Sequence, residues 1–155
     1  MSIEVVNADI FKLPVDAIIN TVNCNGVMGK GLALQFKKHF KENFVFYKNM
    51  CNKKALTPGK LCIYHHVDIL RDQYIINFPT KDDWKKPSQM QYIHDGMKSL
   101  ILWLNQHSHI KTIAIPALGC SNGQLSWNQV KPVIESYVSQ KPDVKFYLIP
   151  PPRII

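Results

Sequence analysis

Acidic residues are scarce in this 155-residue chain, 11 against 19 lysines and arginines. The resulting formal charge of +8 favours an anionic ligand or a polyanionic partner, although solvated lysines give the same count. No two of the four cysteines are spaced as C-x-x-C, which argues against a structural zinc site. Cys24, Cys51, Cys62 and Cys120 are therefore expected as free thiols in a reducing compartment. No apolar run approaches the ~18 residues of a membrane span, and Met1-Ser2-Ile3-Glu4 opens no signal-peptide pattern. A cytoplasmic protein without membrane attachment is expected. Two phosphate-binding motifs are also missing. A Walker loop needs four residues between its first glycine and Gly-Lys, whereas Gly26 precedes Gly29-Lys30 by only two. Gly29 and Gly31 begin a dinucleotide fingerprint, but Leu34 stands where its third glycine belongs.

Glycine is sparse as well, seven in all, yet three of them (Gly26, Gly29 and Gly31) fall in one stretch. An apolar run (Val15, Ala17, Ile18, Ile19) enters this stretch, Asn20 and Asn23 follow, and a helical pattern (Leu32, Leu34, Phe36) leaves it. Glycine lets backbone approach a ligand closely, and a helix start offers free N–H groups to an anion. The pattern suggests a phosphate-bearing ligand with a hydroxyl-rich end. A turn that needs glycine for geometry alone is the alternative reading.

With 46% apolar residues the chain can bury one core. Strands are expected over residues 3–6, 16–22, 61–66, 74–78, 112–116 and 145–149. Helices are expected over 31–39 and 42–52. Two more helices are expected to open with capping boxes, Ser88 with Gln91 and Ser126 with Gln129. Met90, Ile93, Met97, Leu100, Ile101 and Leu104 share one face of the third helix. Alternating strands and helices predict an α/β fold with a mixed, mostly parallel sheet covered on both faces. Ligands of such sheets bind beyond the carboxyl ends of the strands. A second glycine-bearing loop, Leu118-Gly119-Cys120-Ser121-Asn122-Gly123, leaves the fifth strand there and is expected to face the first. His65 and His66, adjacent on a strand, point to opposite faces, so no shared metal is expected. Pro150-Pro151-Pro152-Arg153 reads as a tail or linker.

Three motifs carry a family resemblance. Asn7-Ala8-Asp9-Ile10 follows the first strand, Asn20-Thr21-Val22-Asn23 the second, and Pro116-Ala117-Leu118-Gly119-Cys120 the fifth. The order resembles a macrodomain, the ADP-ribose-binding three-layer α/β/α fold, with residues 1–149 as the domain and 150–155 as a tail. Gly26-Val27-Met28-Gly29-Lys30-Gly31-Leu32 and Asn77-Phe78-Pro79-Thr80-Lys81 narrow it. They are similar to the DNA ADP-ribosyl glycohydrolase branch, the DarG antitoxins of DarT-type toxins, related to terminal ADP-ribose-protein glycohydrolases.

The resemblance implies that Asp9 and Ile10 hold adenine, with Tyr147 nearby, and that Asn20 and Asn23 lie at the binding site, Asn23 on the distal ribose. It implies that Val27, Met28, Gly29, Lys30, Gly31 and Leu32, with Thr80 and the 118–123 loop, enclose the rest of ADP-ribose. It makes Lys81 catalytic, either as a nucleophile at C1″ or as a cation that stabilises developing charge. From composition alone, Lys81 is one of several surface lysines. Related protein-directed hydrolases carry an aspartate where Gly123 stands, so the acid is missing here and Asp82 or Asp83 is a candidate replacement. Trp84, Lys85 and Lys86 offer a base-stacking platform for single-stranded DNA, where stacking contributes ~1–3 kcal/mol per base. Trp84 folded back over the core is the alternative.

The resemblance implies a cytoplasmic, monomeric hydrolase without metal or cofactor. It would remove ADP-ribose from thymidine bases of single-stranded DNA, as a repair activity and antitoxin that reverses a DarT-type toxin. A non-catalytic ADP-ribose reader and a hydrolase of ADP-ribosyl carboxylates or small derivatives are the alternatives.

Overall fold

The sheet is organised around its second strand. In the computed structural model, which describes residues 2–152, the strands are β1 (Ile3–Val5), β2 (Ala17–Val22), β3 (Cys62–Val67), β4 (Asp72–Pro79), β5 (Thr112–Ile115) and β6 (Lys145–Leu148). The helices are α1 (Gly31–His39), α2 (Lys41–Asn52), α3 (Met90–Asn105) and α4 (Trp127–Val138). The strand order is β1-β6-β5-β2-β4-β3. β3 runs antiparallel to β4, and the other pairings are parallel. β2 therefore has parallel neighbours on both sides, with Ile18 opposite Ile75 on β4 and Ala114 on β5.

A strand in that position must bury both faces, which explains why β2 opens with the unbroken apolar run Ala17, Ile18, Ile19 rather than an alternating pattern. Ala17 and Ile19 face one way, with Ile76, Phe78, Ile113 and Ile115, onto Ile93, Met97 and Leu100 of α3 and Val130 and Ile134 of α4. Ile18 faces the other way, with Ile75 and Ala114, onto Phe36 of α1 and onto Phe11 and Phe40. Helices thus cover both faces, as the α/β/α expectation required. The 90–104 apolar face is the buried face of α3. Gly96 lets α3 lie unusually close to the sheet, since a Cβ there would stand 2.1 Å from Phe78 Cζ.

The ends of α3 and α4 differ from the sequence expectation. Gln89, not Ser88, is the N-cap of α3, and no side chain caps it. Ser88 is instead buried beneath the 119–123 loop, where its N–H donates to Gly123 O at 3.0 Å. Ser126 does precede α4, but its side chain makes no cap; its carbonyl accepts from Gln129 and Val130 N–H. In both cases tertiary packing or backbone bonding takes the place of the reciprocal side-chain box.

One buried polar cluster locks α2 to the sheet. Asn77 on β4 accepts at Oδ1 from Asn20 Nδ2 and Asn43 Nδ2, each at 3.2 Å. Its own Nδ2 donates to Asn43 Oδ1 (2.8 Å) and Cys62 O (3.0 Å). All three asparagines are fully buried. Pro150 to Pro152 pack beyond β6; residues 153–155, part of the expected tail, lie outside the described residues.

Candidate active site

Because β2, β4 and β5 are parallel neighbours, their carboxyl ends lie on one edge, and the loops that follow them meet there. Thr80 N and Lys81 N both donate to Val22 O, at 2.9 and 3.4 Å, which ties the β4 loop to the end of β2. The β2 and β5 loops also face one another. A Cβ on Gly31, which has φ +61°, would stand 3.1 Å from Asn122 Nδ2. Two adjoining cavities open along this edge, of about 330 and 440 Å³, and Thr21, Leu32, Ala117 and Ser121 line both.

The first cavity brings together Asn23, Val27, Gly29 and Lys30 from the β2 loop with Thr80, Lys81 and Trp84 from the β4 loop. Gly119, Cys120, Ser121, Asn122 and Gly123 close it from the β5 side. Two lysines line this cavity, and no carboxylate does. Burial, reinforced by the charge of Lys30, holds the Lys81 ammonium below the ordinary lysine range. Its Nζ donates to Trp84 O at 3.4 Å. Cys120 reaches the same cavity, but burial pushes its thiol up to about 11, so it is protonated at neutral pH and a poor nucleophile. Cys24, in the β2 loop, lines neither cavity, and its thiol is pushed up to about 12 by burial and by Asp82.

The floor between the cavities is built to receive an anion. α1 begins at Gly31 with no side-chain cap, and its first hydrogen bond runs from Leu34 N to Lys30 O. The N–H groups of Gly31, Leu32 and Ala33 therefore lack helix partners, and the positive end of the helix dipole faces the cavity. Across from them, Ser121 N and Gly123 N donate to no protein acceptor among the described residues. Asn23 is held in place by its own loop. Its Oδ1 accepts from Tyr47 OH (2.7 Å) and Asn25 N (3.0 Å), and its Nδ2 donates to Val27 O (2.9 Å). Asn23 lines the first cavity, and one of its two amide hydrogens makes no hydrogen bond among the described residues.

The second cavity carries Asp9, Ile10 and Gly31, with Gln35 and Ile149 and a wall of Pro150, Pro151 and Pro152. Asp9 is its carboxylate. Oδ1 caps the short 3-10 turn by accepting from Phe11 N at 3.0 Å, which leaves Oδ2 for a ligand.

Several expected contacts lie elsewhere. Asn20, Met28 and Leu118 are removed from solvent and line neither cavity. Asn20 Nδ2 donates to Asn77 Oδ1 and Met28 Sδ, and Leu118 belongs to the core beneath the loop. Tyr147 packs against the apolar cluster under α1, with Lys145 Nζ 5.5 Å from its ring centre, outside both linings. Trp84 is 50% exposed, so it does not fold back over the core. Lys85 and Lys86 are exposed beside it, with Lys85 Nζ 5.5 Å from the Trp84 ring centre. Asp82 and Asp83 line neither cavity; the Asp83 carboxylate caps its own turn by accepting from Lys85 N at 2.9 Å. Gly123 has no room for an acid, because a Cβ there would stand 2.2 Å from Ser88 Oγ and 2.5 Å from Gly119 O.

Sequence reasoning missed the proline wall, whose residues read as a linker. It also missed Asn25, which accepts from Trp84 N at 2.8 Å. A polar residue in a glycine-bearing loop is a weak signal for a contact made 59 residues away. Among the described residues, no group of His, Cys, Asp and Glu is placed to hold a metal, and no helix is long and apolar enough to cross a membrane.

A model of the Macro domain family matches residues 19–134. The DNA ADP-ribosyl glycohydrolase of Thermus aquaticus is 38% identical over 146 residues, covering 94% of this chain and 40% of that protein. The chain thus spans about two fifths of the length of that relative. The solved macrodomain of Mycobacterium tuberculosis DarG is 39% identical with a TM-score of 0.92, over 97% of this chain and 98% of that one. Thermosipho africanus DarTG, solved in complex with ADP-ribose, is 31% identical with a TM-score of 0.91, over 99% of this chain and 43% of that one. On its fold, its cavity edge and these likenesses, the chain belongs to the macrodomain family and is built like the DarG macrodomains.

Proposed function

We propose that this chain is a hydrolase that removes ADP-ribose from thymidine bases of single-stranded DNA, with Lys81 as its catalytic residue. The observation that carries the reading is the first cavity itself: two lysines, no carboxylate, and an exposed tryptophan at the mouth. In this reading adenine occupies the second cavity, with Asp9 Oδ2 accepting from its amino group and Ile10 beside the ring. The diphosphate rests on the free N–H groups of α1 and of the 121–123 turn. The distal ribose reaches Asn23, which places C1″ near Lys81. The modified base then leaves past Trp84, with Lys85 and Lys86 along the DNA backbone.

The lowered basicity of Lys81 suits it to attack as a neutral amine. Its Nζ bonds to C1″ as the N-glycosyl bond breaks; the bonding pair leaves on the base nitrogen, which takes the proton released by the amine. The ribosyl-lysine opens to an imine, and water hydrolyses it to ADP-ribose and free Lys81. The step needs water and no further co-reactant.

Cleavage of ADP-ribosyl carboxylates has less support, because Ser88 and Gly119 occupy the space an acid at position 123 would need. A DarT-type transferase, which would write the mark, is the partner this reading implies. The test is release of ADP-ribose from an ADP-ribosylated thymidine oligonucleotide. Wild-type protein should release it, and Lys81→Ala should bind ADP-ribose without turnover. Tight ADP-ribose binding with no release by wild type would instead identify a reader module.

A further inference from the structure

We propose that Asn25 is a positioning residue for Lys81, clamping the crest of the β4 loop to the β2 loop so that the lysine amine is held over the first cavity. The inference rests on the reading that Lys81 carries the reaction. Its structural basis is a run of hydrogen bonds that crosses between the loops. Tyr47, fully buried on α2, donates from its hydroxyl to Asn23 Oδ1 at 2.7 Å. Asn25 N donates to the same oxygen at 3.0 Å. Asn25 Oδ1 then accepts from Trp84 N at 2.8 Å, and Trp84 O accepts from Lys81 Nζ at 3.4 Å. The core thus reaches the amine through Asn23, Asn25 and the Trp84 backbone.

Few other ties fix the crest. Thr80 N and Lys81 N hold its base to Val22 O, and the Asp83 turn bonds only within the loop, to Lys85 N and Lys86 N. Across the gap, the Asn25 carboxamide is the one side chain among the described residues that bonds to the crest backbone. A lysine has four rotatable side-chain bonds, so its reactive pose depends on a fixed acceptor for Nζ. If Trp84 O moves, the fraction of amines in attack position falls, and small misplacements of this kind cost rate steeply. ADP-ribose itself rests on other groups, the α1 terminus and Asp9, and does not need the clamp.

The experiment compares wild type, Lys81→Ala, Asn25→Ala and Asn25→Asp on the ADP-ribosylated thymidine oligonucleotide, with ADP-ribose affinity and Trp84 amide hydrogen exchange measured in parallel. Asn25→Ala should lower kcat about tenfold or more, with the ADP-ribose Kd within about twofold of wild type. It should also speed exchange at the Trp84 amide by about tenfold or more. Asn25→Asp keeps the acceptor oxygen and should restore both the slow exchange and most of kcat. An unchanged kcat in Asn25→Ala where Lys81→Ala is inactive overturns the inference, as does an unchanged Trp84 exchange rate or an Asn25→Asp variant as impaired as Asn25→Ala. Wild-type protein that releases no ADP-ribose sinks the hydrolase reading instead, and the exchange arm still judges the clamp.

Discussion

Replacing Gly123 by alanine should damage both stability and ligand binding, out of proportion to one added methyl group. The new Cβ would stand 2.2 Å from Ser88 Oγ, 2.5 Å from Gly119 O and 2.9 Å from Gly119 C. Carbon and oxygen normally meet no closer than about 3.3 Å, so each oxygen must retreat by roughly 1 Å. Ser88 can relieve its share by rotating, since its hydroxyl has no partner to lose. Gly119 cannot do so without cost, because its carbonyl accepts from Leu125 N at 2.8 Å and its backbone holds φ +72°. The loop must therefore shift. Overpacking of this kind costs about 2 kcal/mol, or roughly 4–8 °C in Tm for a chain of this size. A loop displaced by about 1 Å also carries the Ser121 and Gly123 N–H groups out of hydrogen-bond range of a bound anion. Losing one such charge-assisted bond weakens binding on the order of tenfold to a hundredfold. Thermal denaturation and calorimetric titration with ADP-ribose measure the two effects. Ser88→Gly combined with Gly123→Ala should recover only part of the loss, because the Gly119 contact remains. A Gly123→Ala protein with Tm within about 1 °C of wild type and unchanged affinity would refute the reasoning.

Other perturbations probe separate parts of the molecule. If Lys81 attacks as a neutral amine, single-turnover rate on the modified oligonucleotide should rise with pH and level off at a pKa below that of an ordinary lysine, since burial and Lys30 disfavour the ammonium. A rate that falls over the same range would show that the cation is the active form. Asp9→Ala should weaken ADP-ribose binding about tenfold by calorimetry, and lose about 1 kcal/mol of stability through the Phe11 N cap. Asn77→Ala should cost about 3 kcal/mol in urea unfolding, because it strands buried polar atoms of Asn20 and Asn43 together. A loss below about 1 kcal/mol would show that the cluster is not holding α2.

The sheet was readable because its signals are local and redundant. β2 and β5 are apolar runs bounded by asparagine or proline, and α3 shows its buried face at helical spacing. The helix starts at Ser88 and Ser126 were less readable, because a capping box and a packed serine look the same in sequence. Ser88 went under the 119–123 loop because Gly123, 35 residues later, left space there. The same distant pairing explains why an aspartate is absent at position 123. Asn20 and Asn23 are alike in type and near in sequence, yet β2 buries the first against Asn77, while the second lies past the strand end. Three residues along the chain separate a side chain buried in the sheet from one that can meet a ligand. The three prolines read as a linker because proline ends regular structure, and nothing local announced that they wall a cavity beside Asp9.

The placement of β1 has a consequence for how the protein is assembled. Its partner is β6, so Ile3 waits 143 residues for Phe146 (146 − 3), and during synthesis the first strand emerges long before it has anything to pair with. β2, β3, β4 and β5 can form their ladder earlier, whereas the β1–β6 edge must close across nearly the whole chain, a slow class of contact. Asp9 and Ile10 follow β1, while Ile149 and the prolines follow β6, so the second cavity exists only once that edge has closed. A ligand spanning it binds the finished sheet and not its precursor. Binding therefore stabilises the last step of assembly in particular, and protection of β1 amides on adding ADP-ribose should exceed that of β4, whose pairing is already complete.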